Sequence, residues 1–213
     1  MYLLFDTETT GLPRSWNAKM EDVNNWPRLV QIAWLEYDED GKEISKGDYI
    51  IKPEGYVIPK EAARIHKIDT ELACSVGDKM RDVLNVLSAL ISKSKFLVAH
   101  NINFDINVVG AEFIREYIKS DMLEKKQICT MNAGVDLCKI PGKTKYKFPK
   151  LSELYRKLFD EGFSEAHNAA ADIEATGRCF WEMKRLGLFD EERKDDGGGN
   201  SKSDGGEKEL SLF

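Results

Sequence analysis

The chain opens with a short apolar run, Tyr2-Leu3-Leu4-Phe5, that stops at Asp6-Thr7-Glu8. This pattern predicts a buried strand whose last residues place Asp6 and Glu8, two positions apart, on one face. A polar stretch from Pro13 to Pro27 follows, carrying Trp16 and Trp26, and Leu29-Val30-Gln31-Ile32-Ala33-Trp34-Leu35 then predicts a second strand. Gly41 marks the turn into a third, around Ile44 to Ile51, which Pro53 closes. Three strands in succession predict an antiparallel meander.

The hydrophobic period then changes. Val83, Val86, Leu87, Leu90 and Ile91 recur at helical spacing, and Lys95-Phe96-Leu97-Val98-Ala99-His100 predicts a fourth strand. A second helix is expected from Asn103 as N-cap, with Ile106, Val109, Gly110, Phe113 and Tyr117 along one face. Leu151 to Phe159 predicts another helix. The last long one runs from about Asn168 to Leu186, with Ile173, Thr176, Phe180 and Met183 on one stripe and Gly187 as its stop. Strands first, then strands alternating with helices, give an α/β fold with a mixed sheet flanked by helices. From Asp190 the residues are Asp, Glu, Lys, Gly and Ser, which cannot bury a core. The expected organisation is therefore a domain at 1–189, a flexible acidic and Gly-rich linker at 190–208, and a short peptide at 209–213 within a disordered tail.

Net charge sharpens this picture: at −6, the chain has the wrong sign for coating duplex DNA through a broad basic surface. A nucleic-acid partner must be held locally, and divalent ions in an acidic cleft could supply the attraction at one phosphate. The four cysteines, Cys74, Cys129, Cys138 and Cys179, have no C-x-x-C spacing and fit reduced thiols in a cytoplasmic protein rather than a zinc site. Neither the N-terminal apolar run nor Val83 to Ile91 is long enough for a signal peptide or membrane span, so no membrane association is expected.

Three pieces of sequence carry chemistry. Asp6-Thr7-Glu8 sets two carboxylates at a strand end, costly unless a cation or shared proton compensates; the same residues also suit a plain strand-to-turn junction through Thr9-Thr10-Gly11. In His100-Asn101-Ile102-Asn103-Phe104-Asp105, the carboxylate falls in the first turn of a helix, where the dipole favours the ionised form or simply caps the helix. His167 and Asp172 lie five residues apart, about 140° around a helix, so His167 belongs on the loop before it. There it could reach over the same site as Asp172, or be an ordinary hydrogen-bonded loop histidine. Oxygen ligands without a soft ligand select hard cations, so Mg²⁺ or Mn²⁺ is implied; two such ions would clamp the attacking and leaving oxygens of a phosphoryl displacement.

This order of motifs resembles the histidine-containing branch of the DEDD 3′–5′ exonuclease superfamily, over about residues 1 to 187. The resemblance implies a ribonuclease H-like fold, metal-binding carboxylates at Asp6, Glu8, Asp105 and Asp172, and a general base at His167. It implies that Thr9, Thr10 and Leu12 contact substrate, the leucine wedging between the last two bases of a frayed end. Ile65-His66-Lys67-Ile68 is similar to the family's His-Gly-Ile loop, with lysine in place of glycine, which adds His66 and Ile68 to the substrate contacts; Asn101 completes them. The stretch from Pro13 to Pro27 is longer than in many relatives and has no implied role.

The sequence Glu209-Leu210-Ser211-Leu212-Phe213 resembles the peptide by which bacterial replication proteins enter the sliding clamp, with glutamate for the expected glutamine. That resemblance makes Leu210, Leu212 and Phe213 partner contacts, against the plainer alternative of a tail that packs back or dangles. The expected activity is metal-dependent hydrolysis of single-stranded or frayed DNA from its 3′ end in proofreading or repair, alone or beside a DNA polymerase subunit. The rivals are RNA 3′-end trimming and a non-catalytic clamp-tethered module.

Overall fold

The computed structural model describes residues 1–163 and 169–189. The expectations for His167, the linker at 190–208 and the peptide at 209–213 lie outside the described residues. Five strands form one sheet in the order β3-β2-β1-β4-β5: β1 (Tyr2–Thr9), β2 (Leu29–Tyr37), β3 (Glu43–Ile50), β4 (Phe96–Ala99) and β5 (Lys126–Cys129). The first three make the expected antiparallel meander, while β4 and β5 add in parallel on the other side of β1, giving the mixed sheet.

Strand β1 is central, and its period-2 alternation sends side chains into two cores. Leu3 and Phe5 pack with Leu84, Leu87 and Ile91 of α3 (Met80–Lys93) and with Ile106 and Val109 of α4 (Ile102–Arg115). Tyr2 and Leu4 pack on the opposite face with Ile173 and Phe180 of α8 (Ala169–Arg185). Phe180 is fully buried, so truncation to alanine is worth about 3–5 kcal/mol. Helix α8 can approach the sheet closely because Gly177 has no side chain: a Cβ there would lie 3.2 Å from the Tyr37 hydroxyl and 3.3 Å from Leu35. Its stripe of Ile173, Thr176, Phe180 and Met183 is buried as expected. The helix stops at Gly187, whose φ of 72° suits glycine.

Short elements complete the layers: α1 (Lys60–His66), α2 (Thr70–Val76), α5 (Thr130–Ala133), α6 (Val135–Cys138), α7 (Leu151–Phe159) and a 3₁₀ turn at Met122–Glu124. Two helix details depart from expectation. The N-cap of α4 is Asn101 rather than Asn103, and Tyr117 lies beyond the helix end, 91% exposed. Among the described residues no helix is long and apolar enough to cross a membrane.

Candidate active site

Asp6 and Glu8 continue the face of β1 that carries Tyr2 and Leu4, which is the face covered by α8. Asp172, in the first turn of that helix, therefore descends onto them. One carboxylate oxygen from each of Asp6, Glu8 and Asp172 lies within 4.8 Å of the others, a set able to hold a metal ion. Asp105 arrives from the other layer. It sits in the first turn of α4, and Thr7, facing α4 between the two strand carboxylates, donates its hydroxyl to Asp105 Oδ1 at 2.7 Å. Alternation along β1 thus presents two carboxylates directly and steers another through the residue between them.

The electrostatics show what this costs. Burial, then the charges of Asp105, Asp172 and Glu8, hold the Asp6 carboxyl well above the usual carboxylate range. Burial pushes Glu8 up to about 8, with Asp172 and Asp105 adding to the rise. Burial also raises Asp105 to about 7 despite the opposing Thr7 hydrogen bond. The helix dipole favours the ionised form of Asp105, but desolvation acts against it and is the larger effect in the metal-free site. A hard divalent cation would pull these carboxyls back to the charged state, and oxygen-only donors in this arrangement fit one.

The cluster forms the floor of a cleft of about 1410 Å³, whose walls also include Thr9, Thr10, Leu12, His66 and Asn101. The two threonine hydroxyls hold the turn itself: Thr9 donates to the Gly11 carbonyl at 2.6 Å, and Thr10 accepts from the Arg28 amide at 2.9 Å. Leu12 is 43% exposed on the cleft wall. Asn101 has φ 72° and ψ 46° and makes no side-chain cap bond. His66 is buried against the Thr9 backbone without a well-aligned hydrogen bond at Nε2, and burial lowers its pKa. Ile68 is a correction: it lies 5% exposed in the apolar cluster of Val30, Ile58, Ala62 and Ala73, not on the cleft wall. Its backbone amide instead donates to His66 Nδ1 at 3.2 Å, so it fixes the histidine from behind.

Sequence reasoning missed several cleft residues. Trp16, from the unassigned Pro13–Pro27 stretch, packs on Phe104 with ring centroids 5.8 Å apart. His100 bridges Thr130 Oγ1 at 3.0 Å and the Pro149 carbonyl at 3.1 Å, and burial lowers its pKa to about 4. A lysine-rich segment at 141–150 forms another wall. Only that segment had a readable signal, its alternation of lysines with Tyr146 and Phe148.

A mixed sheet that gathers strand-borne and helix-borne acids into one cleft fits a nuclease that works with a divalent metal. Residues 3–180 match the RNase T family model, described as an exonuclease, and the chain belongs to that family. Its relatives make the likeness specific. It is 27% identical over 182 residues to the DNA polymerase III subunit epsilon of Treponema pallidum, covering 85% of this chain and 75% of that protein. It is 28% identical over 185 residues to the PolC-type DNA polymerase III of Lactococcus lactis, covering 84% of this chain but only 10% of that protein. Among solved structures, an Escherichia coli exonuclease I complex with single-stranded DNA, in its zinc-bound form, superposes with a TM-score of 0.70 at 21% identity, covering 89% of this chain and 42% of that one. These findings bear out the DEDD exonuclease resemblance and the ribonuclease H-like fold.

Proposed function

We propose that this protein is a 3′–5′ exonuclease that removes nucleotides from single-stranded or frayed DNA ends, with Mg²⁺ or Mn²⁺ at its acidic cluster. The observation that carries this reading is the convergence of Asp6, Glu8 and Asp172 within 4.8 Å, with Asp105 held beside them by Thr7. Buried carboxyls that repel one another are costly to the fold, and a divalent cation removes that cost. The relatives, a DNA polymerase III subunit and an exonuclease in complex with single-stranded DNA, support DNA as the substrate.

In this reading Asp6, Glu8, Asp105 and Asp172 hold two ions, which when bound supply charge neutralisation at the phosphodiester and acidify water. Leu12 separates the terminal base from its neighbour. The backbone around Thr9 and Thr10, fixed by their own hydroxyls, lies along the terminal nucleotide, with His66 and Asn101 on the walls beside it. His167 accepts the proton of the attacking water, the work of a histidine general base.

The test is incubation of the full chain with strands of DNA and matched RNA labelled at the 5′ end, with Mg²⁺, with Mn²⁺ and with chelator. Stepwise shortening from the 3′ end of DNA, lost in chelator, is the expected result; preferential RNA shortening would move the assignment to RNA trimming, and no shortening would leave a binding module. His167→Ala should lower turnover by about two orders of magnitude with the thermal transition unchanged. We also propose that Leu210, Leu212 and Phe213 dock on the sliding clamp. Deleting 210–213 should abolish binding to purified clamp and leave hydrolysis of free oligonucleotides intact.

A further inference from the structure

A protein of net charge −6 that works on a polyanion needs a local source of positive charge, and the acidic floor of the cleft supplies the opposite. Every lysine or arginine among the described cleft-lining residues comes from one short segment: Lys143, Lys145, Lys147 and Lys150. The segment folds as a tight hairpin. Pro141 and Tyr146 pair in an antiparallel bridge, the Gly142 amide donates to the Lys145 carbonyl at 2.6 Å, and the Lys147 amide donates to the Ile140 carbonyl at 2.9 Å.

Its base is anchored beside the site. His100, at the end of β4, holds the Pro149 carbonyl, and Glu153 in the first turn of α7 accepts from Lys147 Nζ at 2.7 and 2.8 Å and from the Lys150 amide at 2.8 Å. Lys147 thereby ties the hairpin to α7, and the tip residues Lys143 and Lys145 are exposed on the cleft wall. Tyr146 between them and the base is 45% exposed, an aromatic surface turned to the cleft rather than to a core.

We propose that the 141–148 hairpin is the binding arm for the single-stranded segment leading to the scissile end, with Lys143 and Lys145 on its phosphates and Tyr146 under one of its bases. This inference rests on the nuclease reading and extends it. The carboxylate cluster can neutralise only the phosphate beside its cations, so the phosphates upstream need their own partners. Lysines at an anchored hairpin tip provide them, and an exposed ring offers a sequence-tolerant stacking face.

The experiment measures fluorescence anisotropy of an oligodeoxythymidylate of about a dozen nucleotides against the full chain carrying Asp6→Asn, which keeps the strand intact, across a salt series in Mg²⁺. Adding Lys143→Ala with Lys145→Ala should weaken binding about tenfold and lower the log-log salt slope by about 1.4, the share of two phosphates on a single strand. Tyr146→Ala should weaken binding about fivefold or more with the slope unchanged. A charge-matched control, Lys42→Ala with Lys93→Ala, should move neither quantity, and circular dichroism should show every variant folded. Equal losses from the control pair, an unchanged slope in the hairpin pair, or no strand binding at all would each overturn the proposal. Strand binding that depends on the hairpin, in a protein whose wild type shortens no strand, would sink the hydrolytic reading and leave the arm standing.

Discussion

Glu112 of α4 and the strand carboxylates Asp6 and Glu8 are all withdrawn from water, yet their surroundings differ in kind. Glu112 is 0% exposed and meets Arg28 at 2.8 Å, Arg115 at 2.9 Å and the Leu29 amide at 3.0 Å. Arg115 also donates to the carbonyls of Val23 and Trp26, and Arg28 lies over the Tyr56 ring, so this network ties the Pro13–Pro27 stretch to the sheet. Asp6 and Glu8 have no lysine or arginine within ion-pair range among the described residues, and the charges acting on them are all acidic. One site carries its counter-charge in the sequence. The other has none among the described residues, which under the proposed function makes the second the place for a cation and its chemistry and the first a structural pair.

The contrast is broken most forcefully by exchanging the outcome of two substitutions. Asp6→Asn should lower exonuclease kcat by about three orders of magnitude or more, because several kcal/mol of transition-state charge stabilisation depend on the bound cations. Yet it should leave the metal-free protein as stable as wild type, or more so, since it removes one member of a repelling group. Calorimetry with Mn²⁺ should show weakened binding; unchanged affinity would mean the ions sit elsewhere. Glu112→Ala should do the reverse, costing about 3–5 kcal/mol in urea unfolding because two arginines lose a buried partner. If Glu112→Ala unfolds like wild type, the claim that this acid is structural fails.

A third expectation follows the protons. Glu8 has its pKa raised from near 4.5 to about 8, so the metal-free folded state binds a proton more tightly than the unfolded chain does. That contribution is complete below the unfolded value and is lost as pH climbs from about 4.5 towards 8, with Asp6 and Asp105 shifted in the same direction. In chelator, Tm should therefore fall by several degrees between pH 5 and pH 8. Mg²⁺ or Mn²⁺ should restore it, most strongly at the alkaline end where no proton has to leave first. A flat profile in chelator would show that the acids are not destabilising, and the comparison with Glu112 would lose its basis.

Much of this was legible in the residues, and the gaps have physical causes. The meander, the fourth strand and the long helices follow from apolar runs whose period is unmistakable, and the positions of Asp6, Glu8 and Asp105 follow from strand alternation and a first helical turn. Strand β5 escaped notice because Lys126-Gln127-Ile128-Cys129 is short, lies at the sheet edge and has half its side chains exposed. Helices α5 and α6 have four residues each, too few for any period to show. Glu112 carries no signal of burial in the sequence, because its arginines come from a residue distant in the chain, Arg28, and from one helical turn away, Arg115. Ile68 was assigned by the motif alone, and the motif could not reveal that its side chain points into the core while its amide serves His66.

The smallest effect concerns the residue between those two. Lys67 stands where the similar His-Gly-Ile motif has glycine, and it adopts φ 64° and ψ 16° as the C-cap of α1, its amide donating to the Ala63 carbonyl at 2.9 Å. The left-handed geometry is therefore kept despite the side chain, at a steric cost of roughly 1–2 kcal/mol. Glycine would relieve that cost and give back part of it through a freer unfolded chain. Lys67→Gly should accordingly raise stability in urea by about 0.5–1 kcal/mol, and Lys67→Val should lower it, since a branched Cβ fits this region poorly. Neither should move Tm as far as the loss of Glu112. If Lys67→Gly proves destabilising, the loop is held by the lysine itself, whose ammonium donates to the Arg64 carbonyl, and the backbone-strain account of this position is wrong.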